Sequence, residues 1–168
     1  MPGSSLVATD LRFDAVVHAP FGGIGVRVAG GAVTELVYVP PSLKPLAAQG
    51  GLARRAALQI ENYLADAAFR FDLPLAPRGS EFQQRVWRAI AAIPAGSTLT
   101  YGEVACLVRN APRAVGQACG ANWFPLVVPC HRVLAVGGIG GFARHDGSGF
   151  HLDVKRWLLR HEKVPGYA

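Results

Sequence analysis

The sequence predicts an α+β protein built in two halves. Three observations carry that expectation. Residues 11–39 alternate apolar and polar side chains between glycine turns, later stretches repeat apolar residues at helical spacing, and residues 70–79 break the pattern with Pro74, Pro77 and Gly79. The N-terminal half, about residues 1–75, is expected as a small antiparallel β-sheet with one helix. The C-terminal half, residues 76–168, is expected to be mostly helical, with a helix-turn-helix and a short buried strand that carries the reactive side chains.

The first strand falls in Leu11–His18, and Pro20-Phe21-Gly22-Gly23 turns the chain. Ile24 to Val28 alternate strictly, Gly30-Gly31 turns again, and Val33 to Val39 complete a three-strand meander. Pro40-Pro41 ends the sheet. Residues 53–68 place Ala56, Ala57, Ile60, Leu64 and Ala67 on one helical face. After the linker, Ser80-Glu81-Phe82-Gln83 has the form of a capping box, and the helix it opens runs to about Ile93. Thr100-Tyr101-Gly102-Glu103 is a second capping box and opens a helix over about 101–108. Arg109-Asn110-Ala111 then turns the chain, and Pro112 suits the first turn of a helix over 112–120. Two short helices around a tight turn form a helix-turn-helix; an ordinary packing hairpin has the same pattern. The second helix is nearly bare, with Ala114, Gly116, Ala118 and Gly120, so another surface can approach its backbone closely. Arg113 sits at its positive end, where a cation is mildly unfavourable unless something offsets it. Six glycines in residues 137–149 indicate a loop, without the Lys-Ser/Thr of a Walker A motif. The last helix covers 152–162, with Val154, Leu158 and Leu159 inward.

With 51% hydrophobic and 17% charged residues, the chain can bury a sizeable core and does not have the composition of a disordered one. No apolar run is long enough to span a bilayer, and Met1–Thr9 lacks the pattern of a secretory signal. Three cysteines, Cys106, Cys119 and Cys130, show no pairing pattern and suit a reducing compartment, so a cytoplasmic protein is expected. The net charge of +6 is uneven. Residues 79–168 carry ten Lys/Arg against five Asp/Glu, whereas residues 1–78 carry seven against six. A basic, arginine-rich half suits a polyanion partner, although a basic domain without one has the same balance.

Pro129-Cys130-His131-Arg132 follows the apolar run Leu126-Val127-Val128, which reads as a buried strand with Pro129 at its end. Such a strand delivers a thiol, an imidazole and a guanidinium to the rim of a core. The wide spacing of the cysteines does not fit a zinc site. A cysteine hydrolase needs His131 against the sulfur, which neighbouring strand residues make awkward without a bend or a bridging water. An inert buried cysteine is the remaining reading, weakened by flanking groups that favour the thiolate.

Residues 122–133, Asn-Trp-Phe-Pro-Leu-Val-Val-Pro-Cys-His-Arg-Val, closely resemble the active-site signature of the O6-alkylguanine-DNA alkyltransferases, also called methylated-DNA–protein-cysteine methyltransferases. Phe82-Gln83 with Val86-Trp87, then Thr100 to Glu103, then Arg113-Ala114-Val115-Gly116, then Lys155 to Leu159 with Glu162, match the same family in order. The resemblance covers about residues 80–163. It implies DNA repair by an irreversible, single-use transfer of an alkyl group from guanine O6 to Cys130, with thymine O4 as a second candidate position. It further implies that His131 acts as base through a bridging water, that Glu162 orients His131, and that Asn122 holds the water and the strand ends. Tyr101, Arg113, Ala114 and Gly116 would contact DNA. Arg113 would fill the gap left by the flipped nucleotide, and Tyr101 would press on the phosphate beside it. Val133, Phe142 and Ala143 would line the base pocket. The implied partner is double-stranded DNA bearing alkylated guanine, met by a monomer with no cofactor, metal or membrane. The chain departs from the family at Phe142, where many members have Tyr, at Gly120, where many have Arg, and at Trp123, where Pro is usual. Residues 144–153 form a longer loop than usual. A lesion-binding protein of the same architecture is the alternative, but such relatives lack a cysteine after the proline, and Cys130 is present here.

Overall fold

A computed structural model of the chain describes residues 12–141 and 149–167. The chain divides into two compact units, Met1–Ala76 and Pro77–Ala168. In the first, β1 (Ala15–Ala19), β2 (Gly22–Ala29) and β3 (Ala32–Val39) form the antiparallel meander in the order β1-β2-β3. Glycine makes the centre of this sheet possible. A Cβ on Gly25 would lie 2.5 Å from the Phe13 ring, so only a bare backbone lets that ring fold over β2. Helix α1 (Gly51–Ala65) covers the sheet with Ala53, Ala56, Ile60 and Tyr63, all buried. It stops short of the expected residue 68 because Asp66 takes an extended backbone and its carboxylate accepts from the Ala68 N–H at 3.0 Å, an Asx turn that competes with the helix.

The second unit holds the helices α2 (Glu81–Ala91), α3 (Tyr101–Val108), α4 (Pro112–Gly120) and α5 (Phe150–His161). Both predicted capping boxes are formed. Ser80 accepts from the Gln83 amide and Gln83 from that of Ser80, and Thr100 and Glu103 do the same for α3. Arg109 closes α3 in the left-handed region at φ 55°, which satisfies the helix end and swings the chain into α4. The expected helix-turn-helix therefore stands as α3–turn–α4. Trp87 of α2 fixes its far end, the indole N–H donating to the Ala118 carbonyl at 2.9 Å.

The active-site strand differs from its expectation in place. Leu126-Val127-Val128 forms a tight turn, with Leu126 buried at φ 75° and Val128 N–H donating back to Phe124 O at 2.8 Å. The reason lies in Pro125 and Pro129, which bracket the run and can donate nothing to a ladder. Pro129, at φ −81° and ψ 67°, is the centre of an inverse γ-turn, with Cys130 N–H on Val128 O at 2.8 Å. Cys130–Arg132 is then one turn of 3₁₀ helix. The strand comes immediately after, as β5 (Val133–Leu134), parallel to β4 (Leu99–Thr100). Thr100 thus ends a strand and caps a helix at once. Thr100→Ala is expected to lower the unfolding free energy by about 1 kcal/mol through loss of the α3 cap, read as a lower midpoint in urea denaturation.

Candidate active site around Cys130

The 3₁₀ turn changes how the three chemical side chains are spread. Successive residues in such a turn point about 120° apart, not to opposite faces as in a strand. Cys130 and His131 are both buried, at 4% and 0% exposure, and no hydrogen bond joins them directly.

His131 and Arg132 converge on Glu162, which follows α5. The His131 Nε2 lies 2.8 Å from Glu162 Oε2. Arg132 donates from Nε to Oε1 at 2.9 Å and from Nη2 to Oε2 at 2.8 Å, and its Nη1 donates to Ile93 O at 2.6 Å. A carboxylate only accepts, so the Nε2–H of His131 donates to Glu162 and the Nδ1 carries the lone pair. That Nδ1 is buried with no hydrogen-bond partner among the described residues. Burial drives the His131 pKa below its ordinary 6.5, ahead of the opposing pull of Glu162. The imidazole is a neutral base at rest. Arg132 completes the carboxylate's hydrogen bonds; a buried pair that loses one partner typically costs about 3–5 kcal/mol.

Asn122 organises the other side of the thiol. Its Nδ2 donates to Val128 O at 2.8 Å and to Cys130 Sγ at 3.3 Å, while its Oδ1 accepts from Phe124 N–H at 2.9 Å. One side chain therefore ties the chain on both sides of the 126–128 turn and touches the sulfur. The influence of the Cys119 thiol, near the end of α4, followed by burial, pushes the Cys130 pKa well up, against the opposing effects of the Asn122 hydrogen bond and the Lys155 charge. Cys130 is a neutral thiol at rest.

Lys155 is fully buried on α5. Its Nζ donates to Val133 O and to Gly141 O, both at 2.8 Å, and lies 5.8 Å from the Tyr101 ring centre. Burial lowers its pKa to about 8, while the two thiols, Cys119 and Cys130, act in the other direction. The Tyr101 hydroxyl donates to the same Gly141 carbonyl at 3.2 Å, and burial raises its pKa well above the ordinary 10.0.

The structure brings Cys130, His131, Glu162, Asn122, Tyr101 and the fully buried Val133 together. Arg113 is exposed in the first turn of α4, away from this cluster, with Ala114 and Gly116 half-buried behind it. A Cβ on Gly116 would meet nothing within 4 Å, so the helix surface there is open. Phe142 and Ala143 lie outside the described residues. Sequence reasoning gave no site role to Lys155 or Cys119, and took Arg132 only as a flanking group that favours the thiolate. Lys155 had a visible signal, since it stands on the apolar stripe of α5 three and four residues before Leu158 and Leu159. Cys119 had none beyond being a second thiol. Among the described residues, no three His, Cys, Asp or Glu side chains gather as metal ligands, and no helix is long and apolar enough to cross a membrane.

Residues 81–164 match the family model of the 6-O-methylguanine DNA methyltransferase DNA-binding domain. The methylated-DNA–protein-cysteine methyltransferase of Mycobacterium bovis is 35% identical over 153 residues, covering 88% of this chain and 90% of the relative. The chain belongs to the methylated-DNA–protein-cysteine methyltransferase family. The family member from Methanosarcina mazei is 44% identical over 112 residues, 66% of this chain and 68% of its own. Among solved structures, Mycobacterium tuberculosis OGT in complex with DNA matches with a TM-score of 0.73 and 34% identity, covering 90% of this chain and 94% of that one. The O6-methylguanine methyltransferase of the same organism, in a further crystal structure, gives a TM-score of 0.68 and 33% identity, over 90% of this chain and 93% of that one.

The neutral state of His131 has a consequence for folding in this methyltransferase-family chain. Its pKa in the fold lies below 6.5, so below pH 6.5 the unfolded chain binds a proton that the folded chain refuses. The stabilisation is present above that pH and is lost as pH falls toward the folded pKa. Urea midpoints are expected to fall between about pH 7 and pH 5, with a shallower fall in His131→Gln.

Proposed function

We propose that this chain repairs DNA by a single-use transfer of an alkyl group from O6 of guanine to the sulfur of Cys130. The observation that carries this reading is the pairing at the thiol. Cys130 Sγ accepts from Asn122 and is buried beside a histidine whose Nε2 is committed to Glu162 and whose Nδ1 has no partner among the described residues. His131 takes the thiol proton on Nδ1 through one bridging water, and Glu162 stabilises the imidazolium that results. Asn122 and Lys155 favour the thiolate once it forms. The thiolate then attacks the alkyl carbon. The S–C bond forms as the C–O bond breaks, and the electron pair passes to guanine, which takes up one proton to become the ordinary base. The thioether has no leaving group that water displaces readily, so one chain performs one repair.

Flipping brings the base to a thiol that is otherwise buried. In this reading α4 lies against the duplex with Ala114 and Gly116 allowing close approach, Arg113 enters the space the nucleotide leaves, and Tyr101 stands at the backbone beside it. In the same reading Val133 lines the base pocket. A monomer and a cytoplasmic location complete the reading, the latter because three free cysteines suit a reducing compartment.

Incubation with an oligonucleotide bearing O6-methylguanine tests the reading. The intact mass is expected to rise by one methylene unit (methyl replacing hydrogen), mapped to Cys130, with no further gain on longer incubation and none in Cys130→Ser. An unmodified chain that still binds the oligonucleotide would make this a lesion-binding protein instead. Arg113→Ala is expected to slow repair of duplex DNA more than reaction with a free alkylated base. Equal losses on both substrates would remove Arg113 from base flipping.

A further inference from the structure

Trp123 lies at the centre of the Asx turn that Asn122 closes, with Asn122 Oδ1 accepting from the Phe124 N–H at 2.9 Å. The Asn122 amide that reaches Val128 O and Cys130 Sγ is therefore aimed through the peptides on either side of Trp123. Phe124 is buried, but Trp123 is exposed. The Arg78 guanidinium lies over its indole, 4.3 Å from the ring centre.

Arg78 is held from the other side. It is half-buried, and its carbonyl accepts from Gln84 Nε2, in the first turn of α2, at 3.1 Å. Gly79 follows at φ 82°, and a Cβ there would lie 2.5 Å from the Trp87 ring. Trp87 donates to the Ala118 carbonyl of α4 at 2.9 Å, and the next carbonyl, that of Cys119, accepts from the Asn122 N–H at 3.2 Å. Arg78, α2, the end of α4, Asn122 and Trp123 thus form a closed ring of contacts, with the cation over the indole as its last link.

The geometry points to Arg78 and Trp123 as positioning residues: their cation–π contact steadies the Asx turn, keeps the Asn122 amide on the sulfur of Cys130, and so speeds the reaction of that sulfur with an alkyl donor. Neither residue touches the reacting atoms. Trp123 leaves its own φ free, and the ring of Pro125 fixes φ only after the turn. A side-chain clasp supplies the constraint that the backbone lacks there. Arginine suits the task because its guanidinium is flat, always charged and weakly hydrated, so it stays on an aromatic face at a half-exposed place. The role in alkyl transfer rests on the function proposed above; the hold on the sulfur does not.

The test uses the full chain and two readouts. Iodoacetamide reports on the sulfur alone, with the label located on Cys130 by peptide mapping, and an oligonucleotide bearing O6-methylguanine reports methyl acceptance. Arg78→Gln and Trp123→Leu are each expected to slow Cys130 about two- to fivefold in both. The rate–pH curve with iodoacetamide is expected to move to higher pH, because the Asn122 hydrogen bond that lowers the Cys130 pKa is loosened. Arg78→Lys and Trp123→Phe keep a cation and a ring and are expected to retain most of the rate. In an Asn122→Ala background, Arg78→Gln is expected to have no further effect, which a general loosening of the fold would not produce. The same holds in a Trp123→Leu background, and this second cycle needs no change at Asn122. An unaltered iodoacetamide rate in Arg78→Gln overturns the proposal, as does equal slowing with and without Asn122. Slower methyl acceptance with an unchanged iodoacetamide rate also overturns it and makes Arg78 a DNA contact instead. A chain that follows the expected pattern with iodoacetamide but never accepts methyl faults the proposed function and leaves the clasp standing.

Discussion

The site rests on one carboxylate. Glu162 is buried and holds two cationic or potentially cationic partners, Arg132 by two hydrogen bonds and His131 by one. Arg132 holds Glu162 in place by two hydrogen bonds, and Glu162 sets the tautomer of His131, which puts the lone pair on Nδ1. The arginine also reaches the Ile93 carbonyl beyond α2. A buried charge pair is seldom a net source of stability, because desolvation offsets much of the attraction. Its worth here is orientation. The 3₁₀ turn, the strand after it and the end of α5 are all referred to the same two oxygen atoms.

A second arrangement does the same for the other side of the thiol. Lys155 is carried into the core by an apolar stripe and ends on two carbonyls, those of Val133 and Gly141. Tyr101 donates to the second of these. The Gly141 carbonyl is therefore the point at which α3, α5 and the start of the glycine-rich loop meet. Burial weakens the hold of Lys155 on its proton, so the ammonium sits nearer to neutrality than a surface lysine does. It provides positive charge that favours the thiolate of Cys130.

What the sequence revealed depended on how local the signal was. The meander and both capping boxes were legible because alternation and the reciprocal Ser/Thr–Glu/Gln bonds are decided within a few residues. The helix-turn-helix followed from those caps and from Pro112. Cys130, His131, Asn122 and Glu162 were legible through family resemblance, and the structure brings them together. The strand before Pro129 was misplaced because apolar density was weighed above the two prolines that bracket it. Arg132 across Glu162 and Lys155 on two carbonyls are tertiary meetings between distant stretches, and no period or spacing announces them.

Thr100 joins two of these systems without slack. It pairs with Leu134 in the short parallel sheet, and its hydroxyl caps the helix that begins at the next residue. No loop lies between strand and helix to absorb a rotation. The chain that leaves the reactive turn as Val133-Leu134 is thus bonded to the foot of the helix-turn-helix as one lever. A surface that seats the two helices at a different angle would carry that angle to the thiol. The strand pairing and the helix cap thus meet in a single residue next to the turn that holds the thiol.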